Sequence, residues 1–213
     1  MNRTADSNSH VRTLIYIPIV HTEADMGTLD ESVRRATMRK AGRTALKRKA
    51  RTIDKIWDEI ERIIGELDLS YQKVRLYQDG LPVCGREADI VNDLAKQGSR
   101  NHRLLVRLMQ RGATIMGTES ADLLVQEYER YKRFFVAEKA GRRRKMSRSQ
   151  EAEGDLLVEK RDQYAARRIN TTLRRGETGI LFMGMLHALG EFLNEDIRLV
   201  YPIGDPTQVR RKL

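Results

Sequence analysis

The chain of 213 residues has a single cysteine, Cys84. That excludes an internal disulfide framework and any multi-cysteine zinc site. Long apolar runs are missing too: none approaches the roughly 20 residues needed to span a bilayer. The first ten residues are polar and lack the apolar middle of a secretory signal. A reducing cytoplasm is therefore the expected location. Aromatic residues make up only 6% of the chain and are not interleaved with its basic runs, so no stacking platform for single-stranded nucleic acid is visible. No Walker A run and no G-x-G-x-x-G after a strand is present. There is no G-x-S-x-G elbow either.

Charge is abundant but unevenly placed. Lys and Arg number 40 against 30 Asp and Glu, a formal net charge of +10. Residues 34–51 hold nine basic side chains and no acid, and residues 142–148 hold five more. Without those 14, 26 basic residues face 30 acids, a net of −4. The sequence thus reads as a mildly acidic body with two cationic segments. Such runs attract nucleic acid or another polyanion in a salt-dependent, sequence-blind way, although a charge run is usually a solvated face.

The length suits one domain with a real core. Residues 1–10 read as a disordered leader and 204–213 as a loose tail. Residues 11–20 form a nearly continuous β-branched apolar run, the pattern of a strand buried on both faces. Pro18 inside it demotes the strand end or places it at an edge. Residues 30–67 read as helix. Its second half carries the stripe Ile53, Ile56, Trp57, Ile60, Ile63, Ile64 and Leu67. A second strand at 73–77 ends in the turn signal Gln78-Asp79-Gly80. Helices follow near 86–97 and 100–111, then a third strand at 113–116. Ser120 reads as an N-cap for a helix over 121–139, with Leu124, Tyr128, Tyr131 and Phe135 along one side. After a polar connector at 140–150 comes a helix over about 151–175, a fourth strand at 179–183, a short helix near 187–193 and a last strand at 197–203. Strands alternating with helices predict an α/β domain, with a mostly parallel sheet of four to five strands and helices on both faces.

Ligands of open parallel sheets bind outside the carboxyl ends of the strands. Here those ends deliver His21, Glu23 and Asp25, then Gln78 and Asp79, then Thr118 and Glu119, and finally His187. Imidazole and carboxylate groups together suit a divalent metal or general acid–base work. If the strands are neighbours, these groups converge. The plainer readings are a turn or cap role for Asp79, Glu119 and Asp25, a packing role for Cys84, and a surface or capping role for His102. On the 151–175 helix, Arg161 and Arg168 fall on or beside the apolar face. Each either snorkels or anchors a carboxylate or an anionic substrate group.

This arrangement resembles the TraB/TIKI family, itself similar to the erythromycin-esterase-like and ChaN-like folds. The resemblance rests on Pro18-Ile19-Val20-His21 after the first strand, on Glu159-Lys160-Arg161-Asp162 followed by Ala165 and Ile169, and on the GxxH pattern of Gly184-Met185-Leu186-His187. Members carry two GxxH motifs and acidic residues on intervening strands, and TIKI-type members are regarded as metal-dependent peptidases. The first motif lacks its glycine here, and Gln78 stands where members often have a carboxylate. The segments VRLYQDGLPVCGRE and GSRNHRLL also resemble those of small uncharacterised bacterial proteins.

The leading expectation is a hydrolase-like, metal-assisted site. His21, Glu23 and His187 are its candidate ligands for a divalent ion. Asp79 and Glu119 supply carboxylates, and Arg161 orients a carboxylate or the substrate. The alternatives are a non-catalytic binder of nucleic acid or another polyanion through 34–51 and 142–148, and a regulatory protein holding a small anion in the cleft.

Overall fold

The computed structural model describes residues 12–20, 48, 51–139, 147–185 and 187–204. Five strands form one sheet: β1 (Arg12–Ile19), β2 (Val74–Pro82), β3 (Thr114–Glu119), β4 (Thr178–Gly184) and β5 (Ile197–Val200). Their spatial order is β3-β2-β4-β1-β5, and every pairing is parallel. The helices are α1 (residues 51–66 as described), α2 (Glu87–Lys96), α3 (Arg100–Gln110), α4 (Ala121–Lys139) and α5 (Arg148–Thr172). The α/β class and its parallel sheet are as the sequence predicts.

Alternation along the strands sorts side chains into two cores, because successive residues point to opposite faces. Ile15, Ile17, Ile19, Val74, Leu76, Ile180 and Phe182 meet Trp57, Ile60 and Ile64 of α1, Val91 of α2, and Leu104, Leu105 and Leu108 of α3. On the other face Leu14, Tyr16, Tyr77, Leu181 and Met183 meet Ala165, Ala166 and Ile169 of α5. Both faces of the middle strands are therefore covered, as a continuous apolar run requires.

Helix direction follows from the links and the ion pairs. Residue 66 of α1 and residue 110 of α3 lead by short links to the starts of β2 and β3. Arg100 of α3 binds the Asp54 carbonyl, Asp58 and Glu61, and Arg107 also reaches Glu61. The two helices thus lie side by side, antiparallel to the strands, with their first turns toward the strands' carboxyl edge. On the opposite face, α5 is fastened at its far end. Arg12, paired with Asp196, donates to the carbonyls of Asn170 and Leu173. These are the orphan acceptors of a helix C-terminus.

Several element boundaries differ from the sequence reading. Gln78-Asp79-Gly80 does not end β2, which continues to Pro82, and β3 continues to Glu119. Val83 N–H donates to the Glu119 carbonyl, so pairing outlasts the turn-like residues. The register shifts between Gln78 and Pro82, a bulge-type irregularity that accommodates Gly80 at φ 75°. Tyr128 and Tyr131, on the apolar side of α4 read from sequence, are exposed. The half-buried residues described on α4 are instead Leu123, Leu124, Glu127 and Arg130, of which only Leu124 belongs to the stripe read from sequence. Pro18 interrupts no ladder on the β5 side, because β5 pairs with β1 only as far as Ile15. Residues 1–10, 205–213 and nearly all of 34–51 and 142–148 lie outside the described residues.

Close backbone approach at Gly117 gives a stability test. A Cβ there would stand 2.7 Å from the Pro82 carbonyl oxygen and 2.9 Å from Val83 Cα, atoms of the neighbouring strand that cannot swing aside. Gly117→Ala should therefore destabilise the fold by about 1–3 kcal/mol. Gly65→Ala meets nothing within 4 Å in an exposed helical turn and should stabilise by about 0.5 kcal/mol. Urea unfolding of both variants reads the contrast, and equal midpoints would refute it.

Candidate active site at the carboxyl edge of the sheet

The chain leaves β2 toward the face of α2 and α3, and leaves β4 toward the face that holds Leu189 and α5. β2 and β4 are neighbours, so their carboxyl ends flank a topological switch point, where such sheets open a crevice. Asp79 of β2 and Gly184 of β4 meet there, with the Gly184 N–H donating to Asp79 Oδ2 at 3.0 Å.

Two adjacent residues of α5 organise the surroundings. Arg161 is 5% exposed and reaches toward β2 and β3. Its Nε donates to Glu119 Oε2 at 3.2 Å. Its Nη2 donates to Glu119 Oε1 and Asp79 Oδ1, both at 2.8 Å. Its Nη1 donates to both carboxylate oxygens of Glu127 at 2.8 Å. These five contacts match the five N–H donors of a guanidinium. Asp162 turns the other way, toward the chain after β4. Its Oδ1 lies 2.5 Å from His187 Nδ1, and its Oδ2 accepts from the Ala188 N–H at 2.8 Å. His187 Nε2 then faces Asp79 Oδ2 at 3.6 Å. Thr118 donates from Oγ1 to the Gln78 carbonyl, which holds the ends of β2 and β3 together.

The charges explain the titration behaviour. Four carboxylates, those of Asp79, Glu119, Glu127 and Asp162, surround one guanidinium and one imidazole. Burial works against a proton on His187. The Asp162 hydrogen bond and the nearby Asp79 charge outweigh it, so the imidazole pKa lies above its usual value. Burial also raises the Glu119 carboxyl pKa, with Asp79 adding to it, and this exceeds the opposing pull of Arg161. Arg161, flanked by three acids, stays fully charged despite its own burial.

Of the residues picked from sequence, Asp79, Glu119, Arg161 and His187 come together. His21, Glu23 and Asp25 lie outside the described residues. Arg161 anchors carboxylates and does not snorkel. Arg168 is half-buried and donates to the Gly117 carbonyl. Cys84 is exposed, which replaces the expectation of a packing residue. His102 is 4% exposed with Nδ1 at 2.6 Å from Ser99 Oγ, so it is a core group and not a surface one. Two site residues were missed. Asp162 is adjacent to Arg161 in sequence, and an Arg-Asp pair beside an apolar helix face was the available signal. Glu127 had none beyond its place on a polar face.

The donor set can be tested against a metal. Asp162 holds His187 at Nδ1, as a carboxylate commonly holds a metal-ligating imidazole by its other nitrogen. The neighbouring carboxylates, however, are held by Arg161 and the Gly184 N–H. Among the described residues no group of three His, Cys, Asp or Glu is disposed to hold a metal ion, whereas a catalytic zinc takes three protein ligands. The described residues therefore do not fit one. No helix of the described residues is long and apolar enough to cross a membrane. No protein-family model, no curated protein and no solved structure matches the chain.

Two measurements follow from this geometry. Arg161→Met leaves buried carboxylates unpaired and should cost about 3–5 kcal/mol in urea unfolding. Arg161→Lys should not restore it, since an ammonium cannot reproduce the fork. A loss under 1 kcal/mol in either variant, roughly the worth of a surface pair, would refute the pairing. His187 carries a raised folded-state pKa, so its protonation stabilises the fold fully below the unfolded value near 6.5. That contribution disappears as pH climbs through the folded value. The stability of wild type relative to His187→Gln should therefore fall as pH rises above about 6.5. Parallel pH profiles for the two proteins would refute the shift.

Proposed function

We propose that the carboxyl edge of the sheet is a hydrolase-like acid–base site centred on His187. The observation that carries this reading is the 2.5 Å contact between Asp162 and His187 Nδ1, which turns Nε2 toward Asp79 at the switch point of the sheet. A base oriented by a carboxylate on its far nitrogen is the arrangement that activates a hydroxyl or a water. In this reading His187 Nε2 takes a proton from the attacking group and returns it to the leaving group. Asp162 holds the ring in one tautomer. Asp79 is fixed by Arg161 and the Gly184 N–H and balances the imidazolium while it is charged. Arg161 is a positioning residue, since all its donors are engaged within the protein. The resemblance to the TraB/TIKI family supports hydrolysis as the reaction class.

The metal-assisted form of the reaction depends on His21 and Glu23 joining His187, and no step above uses it. The polyanion-binding alternative rests on segments 34–51 and 142–148, and the described residues add nothing to it.

Chromogenic ester, peptide and phosphoester substrates test the reading, each with chelator and with added manganese or zinc. Turnover should fall at least about 100-fold in His187→Ala, with the fold retained by circular dichroism. Because the imidazole works in its neutral form, activity should rise with pH through the raised His187 pKa. Activity only with added metal, lost in His21→Ala, would assign the metal-assisted form. No turnover of any substrate by folded wild type, with or without metal, would sink the catalytic reading.

A further inference from the structure

α4 and the first half of α5 stand outside both cores. None of the described residues within 121–160 belongs to the hydrophobic cluster on either face of the sheet. In the stretches 121–133 and 148–160 only Gly154 and Leu157 are buried. The two helices run antiparallel, as their contacts show. Glu127 meets Arg161, Arg130 donates from Nη2 to the Gln150 carbonyl at 2.9 Å, and Arg133 stands 3.9 Å from Glu153. Arg130 occupies the notch left by Gly154, where a Cβ would come within 2.3 Å of its Nη2.

Helices draw most of their stability from packing an apolar face, yet this pair keeps its apolar side chains outside. Of the six large hydrophobic residues that the described part of the chain exposes, four are here: Val125 at 59%, Leu156 at 51%, Tyr131 and Tyr128. Val125 and Leu156 both line a groove of about 330 Å³ between the helices. Its charged lining, apart from Arg130 turned onto α5, is Glu129 and Arg133 from α4 and Glu153 and Lys160 from α5. Those are two acids and two bases.

A strongly basic or acidic partner meets no complementary field on such a face. Balanced charge suits a copy of the same face, because an isologous interface has to be self-complementary. The order along α5 satisfies that condition. Glu153 and Lys160 lie about two turns apart on one side of the helix, with Leu156 and Leu157 midway between them. An α5 running antiparallel across this point sets each Glu153 against the partner's Lys160, with leucine against leucine at the centre. A parallel copy would oppose like charges instead. We infer that this groove is a two-fold self-association face, occupied by a second copy of the chain through antiparallel α5 contact. A face two helices wide, roughly 20 Å, and as long as α4, roughly 28 Å, covers about 550 Å² per copy. The total of about 1,100 Å² is at the low end of specific interfaces, so the dimer is weak and reversible. It does not depend on His187 being catalytic.

Sedimentation equilibrium of the full-length protein, over a range of micromolar concentrations, tests this. The mass should climb from 24.6 kDa toward twice that value as concentration rises. Leu156→Glu, at an exposed helical position, should keep the circular dichroism of wild type and remain a monomer. Glu153→Lys and Lys160→Glu singly oppose like charges, and each should weaken the dimer at least about tenfold. Combined, they restore opposite charges and should return the affinity to within about threefold of wild type. A wild type that stays monomeric overturns the inference and leaves the face to a different partner. A dimer that survives Leu156→Glu overturns it too, by placing the interface elsewhere. So do single reversals without effect, or a double reversal that fails to recover. None of these readouts requires turnover, so they stand or fall separately from the acid–base reading.

Discussion

One guanidinium ties four elements together. Arg161 binds β2 through Asp79, β3 through Glu119 and α4 through Glu127, and it is itself part of α5. Burying an ion pair brings little net stability compared with an apolar substitute, because desolvation offsets the attraction. A cluster with four acids and one permanent cation is worse placed still. Its place in the interior of a small domain is therefore weak evidence of a stabilising strut. The excess negative charge also sets the protonation of its neighbour, drawing a proton onto His187 despite burial.

The sheet topology makes this convergence possible. β3, β2 and β4 are spatial neighbours although their connections range over the whole domain. α5 crosses the second face antiparallel to the strands, with Ala165 and Ala166 allowing close approach. Arg161 and Asp162 therefore arrive one turn above the packed core, at the level where the strands end. Being adjacent on a helix, they diverge in direction, one toward β2 and β3 and the other toward the segment after β4. Arg12 fixes the C-terminal end of the helix by capping its carbonyls, so the register of α5 against the sheet is set at its middle and at its C-terminus.

Much of this was legible in the sequence, and the rest has physical reasons for being hidden. Periodicity gives the α/β class, the parallel sheet and most helices, because two-sided burial imposes continuous apolar strands and striped helices. Asp79, Glu119, Arg161 and His187 could be picked by their positions at strand ends and on a helix face. The strand ends themselves were misread. Gln78-Asp79-Gly80 has turn chemistry, but pairing of Pro82 and Val83 with Glu119 carries β2 past it. Glu127 was invisible because a glutamate on a polar helix face looks solvated until a partner is placed opposite. Tyr128 and Tyr131 continue a helical stripe of which Leu124 is half-buried, but they are exposed because α4 packs through Leu123, Leu124, Glu127 and Arg130. The burial of Asn101 and His102 depends on α1 packing alongside α3, a contact that local pattern does not encode.

The opening charge asymmetry and the site are separate matters. The cationic runs contribute the excess of +10, while the described centre is an acidic cluster around Arg161. The central claim is that this guanidinium and its carboxylates act as one energetic unit. A double-mutant cycle between Arg161→Met and Glu119→Gln, read by urea unfolding, tests it most directly. The account predicts a coupling of about 2 kcal/mol or more, with Glu119→Gln recovering part of the loss caused by Arg161→Met. Additive losses within about 0.5 kcal/mol would contradict it.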